Sequence, residues 1–236
     1  MNKVIIVTGA GRGLGYHIAL RHLKMKDRIY ALDYQITNEL KQLTADTDLL
    51  KIYNCDTAST ESVTGAMKEV LAAGKQIDIL YNVAAIYSFN DKVGLAETDL
   101  DLCASMYNVN AVGALRVCKA IWLLLQKGTV IINISSEAGS IGACYREQEY
   151  AYCMSKAALN MGAKILANEL AKQSVRVLNL HPGWLRTAMG GEDAFKSDNS
   201  ITPEISAEHI VGIALDIDNI PKEQMYMEHT RTPLPW

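Results

Sequence analysis

A chain of 236 residues with 49% hydrophobic side chains is long enough to bury a substantial core and short enough to do so as one α/β domain. Its formal charge of −3 comes from interspersed acids and bases, which argues against nucleic acid as a partner because no basic stripe forms. The 5 cysteines (Cys55, Cys103, Cys118, Cys144, Cys153) have no Cys-x-x-Cys spacing, and the 5 histidines (His17, His22, His181, His209, His229) have no paired ligand spacing, so neither a disulfide framework nor a metal site is expected.

In chain order, an apolar run at 4–7 reads as a first strand, and Thr8-Gly9-Ala10-Gly11-Arg12-Gly13-Leu14-Gly15 leads it directly into a helical pattern from Gly13 to Lys24. Glycines at such a turn let backbone close on a pyrophosphate while the N–H groups opening the helix face the anion; a plain strand-to-helix turn is the alternative. The second run, 29–32, ends at Asp33, about twenty residues past the loop, where a carboxylate either accepts from a ribose diol or sits in solvent. A third strand at 50–53 precedes Asp56. The helix predicted at 59–73 starts at Ser59, an N-cap without a capping box because Ser62 stands three residues on. A fourth strand at 77–83 carries Asn82 and precedes Ala84, and one continuous helix is predicted at 100–125, carrying Asn110.

The fifth strand, 130–134, runs into Ser135 and Ser136, and a helix at 152–172 opens with Tyr152-Cys153-Met154-Ser155-Lys156. A sixth strand at 175–180 leads to His181-Pro182-Gly183-Trp184, a helix follows at 206–215, and 225–227 is a candidate seventh strand. Fully apolar runs alternating with helices predict a doubly wound parallel sheet of Rossmann type in a single domain over 1–236. The longest helical apolar stretch, 120–125, is far too short for a bilayer, and no charged-then-apolar leader precedes Val4, so a soluble cytoplasmic protein without membrane contact is expected.

The Gly-x-x-x-Gly-x-Gly spacing of Gly9, Gly13 and Gly15, the Tyr-x-x-x-Lys pair Tyr152 and Lys156, and the serine before it resemble the short-chain dehydrogenase/reductase family. So do Asp56, Asn82, Asn110 and Pro182-Gly183 in that order. The tail, from His181 through Met189-Gly190-Gly191 to Pro233-Leu234-Pro235-Trp236, is similar to the branch of C-factor and sniffer-type carbonyl reductases. The resemblance implies hydride transfer between a nicotinamide cofactor and a small carbonyl or alcohol, with Asn110, Ser136, Tyr152 and Lys156 as the catalytic set. It selects Ser136 over Ser135. It further implies cofactor contacts from Gly9, Arg12, Gly13, Leu14, Gly15, Asp33, Asp56, Asn82, Ala84, Tyr152, Lys156, Pro182 and Gly183, a substrate-binding loop at about 184–205, and a homodimer or homotetramer joined through the helices at 100–125 and 152–172.

The chemistry also follows from the residues. A phenol can give or take the proton that hydride transfer requires, but its ordinary pKa of about 10 is too high for a base at neutral pH. Lys156 lies one helical turn from Tyr152, and a unit charge at ~4 Å in an effective dielectric of ~20 lowers that pKa by up to about 3 units. Asp33 favours NAD(H), whereas Arg12 resembles the basic position of NADP-using relatives and leaves NADP(H) open. Two departures stand out: Asn82-Val83-Ala84-Ala85 replaces Asn-Asn-Ala-Gly, and the interval from Ser136 to Tyr152 is a few residues longer than usual, with Cys144 to Glu149 as the surplus. The competing readings are a nucleotide-sensing or signalling protein on the same fold, whose signature is loss of the tyrosine or lysine, and an epimerase or dehydratase, which needs a larger C-terminal domain.

Overall fold

The computed structural model describes residues 2–44 and 47–236. Its strands are β1 (Val4–Thr8), β2 (Arg28–Asp33), β3 (Leu50–Asn54), β4 (Ile79–Asn82), β5 (Val130–Ile134), β6 (Arg176–His181), β7 (Trp184–Leu185), β8 (Ser200–Ile201) and β9 (Tyr226–Glu228). The helices are α1 (Gly13–Lys24), α2 (Asn38–Gln42), α3 (Thr60–Ala72), α4 (Leu100–Met106), α5 (Gly113–Ala120), α6 (Tyr150–Leu170), α7 (Glu192–Lys196) and α8 (Pro203–Leu215).

Seven strands form one parallel sheet in the order β3-β2-β1-β4-β5-β6-β9. Alternation along β1 divides the core: Ile5 and Val7 face α1 and α8 through Leu14, Ile18, Ile210 and Val211, while Val4 and Ile6 face α3, α5 and α6 through Met67, Val117 and Leu166. Helices on both faces bury the central strands β1, β4 and β5 completely, so those runs read as continuously apolar. The chain winds outward from β1 toward β3 and then from β4 toward β9. This reversal opens a crevice at the C-terminal ends of β1 and β4, where Gly9, Asp33, Asn82, Ser136 and Pro182 all lie.

Several boundaries differ from expectation for identifiable reasons. The fourth strand is shorter than expected and begins at Ile79, preceded by Asp78, whose carboxylate accepts from Val4 N–H at 2.7 Å. The helix expected over 100–125 is interrupted by a π-helical turn at Tyr107–Val112 and gives way after α5 to a 3₁₀ turn at Trp122–Leu124. The last helix starts earlier than predicted, capped by the Thr202 hydroxyl with Pro203 in its first turn, a local signal that apolar periodicity alone passes over. Ser59 does cap α3, accepting from Ser62 N–H at 3.2 Å without a capping box. The short pair β7 and β8 lies inside the loop at 184–205 and is too brief to register as a pattern.

Candidate active site

The turn after β1 is built for close backbone approach. Gly9 has φ +65°, and a Cβ there would lie 2.8 Å from Ala84 N; one on Gly15 would lie 2.1 Å from Gly9 O. Gly9 packs closely on the Val83-Ala84 backbone, where Thr8 Oγ1 accepts from both Val83 N–H (3.0 Å) and Ala84 N–H (3.1 Å). Helix α1 opens with no side-chain cap and no acidic residue in its first turn, so the amides around Gly13, Leu14 and Gly15 keep an anion-binding character. A Cβ at Gly9 or Gly15 would collide with neighbouring backbone, so the turn that presents these amides toward a pyrophosphate needs glycine at both positions.

Asp33 is fastened beside the turn, its Oδ2 accepting from Gly11 N–H at 2.7 Å and its Oδ1 from Gln35 N–H at 2.8 Å. Arg12 is exposed and, among the described residues, forms no ion pair; it does not turn onto Asp33. Asp56 stands one edge further out, where its Oδ1 accepts from Ala58 N–H at 2.8 Å. Asn82 begins a ladder that was not anticipated: its amide donates to Asn133 Oδ1 at 2.9 Å, and Asn133 donates to Asn179 Oδ1 at 3.0 Å across β4, β5 and β6. The signal was present in the sequence as an asparagine at the same register in three strands. Pro182 O accepts from Ser206 Oγ at 2.7 Å, and Gly183 takes φ +85° against His229.

The two serines after β5 point to different places. Ser135 Oγ donates to Asn160 Oδ1 at 2.7 Å in the core, whereas the Ser136 hydroxyl lies on the side of Tyr152 and donates to Glu137 Oε2 at 2.6 Å. Lys156 is buried, donates from Nζ to Ile134 O at 2.8 Å, and lies 5.6 Å from the centre of the Tyr152 ring. Asn110 reaches neither residue directly: Ile86 N–H donates to its Oδ1 at 2.7 Å, and its Nδ2 donates to Ile86 O and to Ser155 Oγ, both at 3.0 Å. The π turn is what aims Asn110 at that backbone, in keeping with the tendency of such bulges to sit at functional positions.

Burial dominates the electrostatics of Tyr152 and Lys156. Burial pushes the Tyr152 phenol up, the Ser136 hydroxyl and Arg146 pull it down, Glu137 raises it again, and the net result lies well above the ordinary value. Lys156, buried beside it, donates to the Ile134 carbonyl, and burial lowers its own pKa to about 8.

Sequence reasoning missed a charged wall beside these groups. Arg146 bridges Glu137 Oε1 and Glu149 Oε2, Tyr87 donates to Glu149 Oε1 at 2.6 Å, and the Tyr87 ring stands edge-on to Tyr152 at 5.1 Å. Of the surplus residues, Arg146 and Glu149 thus pack against Glu137 and Tyr87. Asp91 was missed as well. Buried and some sixty positions away in sequence, it caps α6 by accepting from Ala151 N–H (3.1 Å) and Tyr152 N–H (2.8 Å). The apolar side chains of Trp184, Tyr145, Met189 and Phe195 are all exposed.

Known proteins share this arrangement. The short chain dehydrogenase family profile matches residues 3–197. The chain is 30% identical to 1-hydroxy-2-glutathionyl-2-methyl-3-butene dehydrogenase of Rhodococcus sp., over 94% of this chain and 93% of the relative. Among solved structures it is similar to the carbonyl reductase Sniffer of D. melanogaster, with TM-score 0.87 and 25% identity over 100% of both chains. It also resembles an NADPH-bound carbonyl reductase from chicken fatty liver, with TM-score 0.89 and 24% identity over 100% of this chain and 99% of the other, a likeness that carries the fold alone.

Proposed function

Since the chain belongs to the short-chain dehydrogenase family, we propose that it is an NAD(P)-dependent oxidoreductase of a small carbonyl or alcohol in which Tyr152 is the general acid and base. The observation that carries this reading is the meeting of Ser136, Tyr152 and Lys156 at the sheet edge that also holds the glycine cradle. Gly9, Gly13, Leu14 and Gly15 hold the pyrophosphate, Asp33 and Asp56 the adenosine end, and Asn82, Ala84, Pro182, Gly183, Tyr152 and Lys156 the nicotinamide end. The bound nicotinamide supplies or accepts hydride. Ser136 holds the substrate oxygen, Tyr152 gives it a proton in the reducing direction, and Lys156 stabilises the phenolate left behind. Asn110, fixed to Ile86 and Ser155, keeps the helix turn open for the water relay that links Lys156 to solvent. The loop at 184–205 closes over the substrate.

Asp33 favours NAD(H). Its carboxylate is held by two backbone amides in the space a 2′-phosphate needs, while Arg12 is free and points to solvent. The chicken liver protein carries NADPH, so the balance has to be measured. Assays over aldehydes, ketones, quinones and alcohols with both cofactors test the reading. NAD(H) should lead in kcat/KM, and the lead should shrink or reverse in Asp33→Ala. A tenfold preference for NADP(H) in the wild type, about 1.4 kcal/mol, assigns the pocket to Arg12 instead. The protein acts as a homo-oligomer in the cytoplasm; the apolar Leu100, Tyr107, Met154, Met161 and Ile165 exposed on α4, α6 and the turn between α4 and α5 support the first statement, and five free cysteines support the second.

A further inference from the structure

Ser136 can hold a carbonyl oxygen only by donating its hydroxyl hydrogen, and in the structure that hydrogen is already given to Glu137 Oε2 at 2.6 Å. The other Glu137 oxygen is held by Arg146, which is in turn held by Glu149, whose second oxygen takes the Tyr87 hydroxyl at 2.6 Å. Each carboxylate oxygen of this wall therefore has a donor, and substrate binding takes one away from Glu137 Oε2. Leaving a partly enclosed carboxylate short of a donor is costly. His181 Nδ1 stands 3.3 Å from the same oxygen yet makes no hydrogen bond to it.

We propose that Glu137 Oε2 accepts a hydrogen bond from a hydroxyl on the carbon next to the reacting carbonyl, so that the substrates are α-hydroxy ketones or aldehydes and, in reverse, vicinal diols. The proposal rests on the hydride-transfer reading of Ser136 and Tyr152. Its geometry closes: Ser136 Oγ and Glu137 Oε2 are 2.6 Å apart, and two oxygens on neighbouring carbons span a similar gap of ~2.7–2.8 Å, about one hydrogen-bond length. The carbonyl oxygen then faces Ser136 while the hydroxyl replaces the donor Glu137 has lost. In the reducing direction the carbonyl carbon gains a C–H bond by accepting hydride from the reduced nicotinamide, and the carbonyl π pair takes the Tyr152 proton. The substrate becomes a vicinal diol as the nicotinamide is oxidised by two electrons, and Glu137 exchanges no proton. Glu137 and Glu149 outnumber Arg146, so a substrate carboxylate or phosphate beside them meets repulsion.

Hydroxyacetone and methoxyacetone isolate the effect, because both carry an electron-withdrawing oxygen on the α carbon and only the first can donate. Wild-type kcat/KM should favour hydroxyacetone by about tenfold or more, the factor a charge-assisted hydrogen bond contributes. Glu137→Gln should narrow that ratio several-fold, since a neutral acceptor is roughly half as strong. The same ranking should appear without turnover, as a lower Kd for hydroxyacetone in cofactor-loaded Tyr152→Phe. A wild-type ratio near one, equal Kd values, or an unchanged ratio in Glu137→Gln overturns the proposal; if that variant does not fold, the first two measurements decide. Failure to reduce either ketone while another carbonyl of the assay panel is turned over overturns the proposal alone; failure across the whole panel with both cofactors overturns the hydride-transfer reading, and the proposal with it.

Discussion

Lys156 is 2% exposed, donates to the Ile134 carbonyl, and has its pKa lowered by burial from 10.5 to about 8. Below pH 8 it is charged in both folded and unfolded chains, so the folded state bears the whole cost of burying the charge. Between the two pKa values the unfolded chain binds more protons, and stability rises with pH. Lys156→Met should therefore raise the unfolding free energy at pH 7 by about 3 kcal/mol while destroying activity, and the gain should vanish above about pH 10.5. Urea titrations of both proteins at pH 7 and pH 10.5 check this; a destabilised variant at pH 7 contradicts it. The motif around Tyr152 and Lys156 was legible because one helical turn joins them, a relation that sequence spacing fixes by itself. The direction of the Tyr152 shift was not, because burial and the turn of Lys156 toward Ile134 are tertiary facts.

Helix α6 carries both residues, and its start depends on Asp91 rather than on a local cap: Glu149, at the cap position, is left-handed with φ 65° and makes no side-chain cap bond. Asp91→Ala should cost about 1–2 kcal/mol and loosen Tyr152, lowering kcat more than it raises KM, whereas Asp91→Asn keeps most of the acceptor capacity. Denaturant midpoints and steady-state kinetics on the two variants test this; equal behaviour of Ala and Asn contradicts it. Capping rules read neighbours in sequence, so an acceptor from a distant turn was invisible to them. The π turn was hidden for a related reason. Apolar periodicity runs through 100–125, and only the pull of Asn110 onto Ile86 shows where the helix breaks. The strands of the sheet, by contrast, were readable to within a few residues because two-sided burial requires unbroken apolar runs.

For the whole molecule, parallel winding places every element of the candidate site at one edge of the sheet, and the apolar faces of α4 and α6 remain uncovered within the chain. Light scattering at micromolar concentration should give a dimer or tetramer; a monomer contradicts the homo-oligomer. The glycine cradle, the Tyr152–Lys156 motif and the fold were legible together because each is carried by short-range spacing, whereas the wall of Glu137, Arg146 and Glu149 depends on how the irregular connection between β5 and α6 folds back on itself and on Tyr87 from another segment. The central claim is that Tyr152 passes the proton that accompanies hydride transfer. Its most direct test is to measure kcat/KM and cofactor Kd for wild type and Tyr152→Phe side by side. The expected result is a loss of activity of roughly 10²–10⁴-fold with cofactor affinity preserved; a variant keeping more than about a tenth of wild-type activity would contradict it.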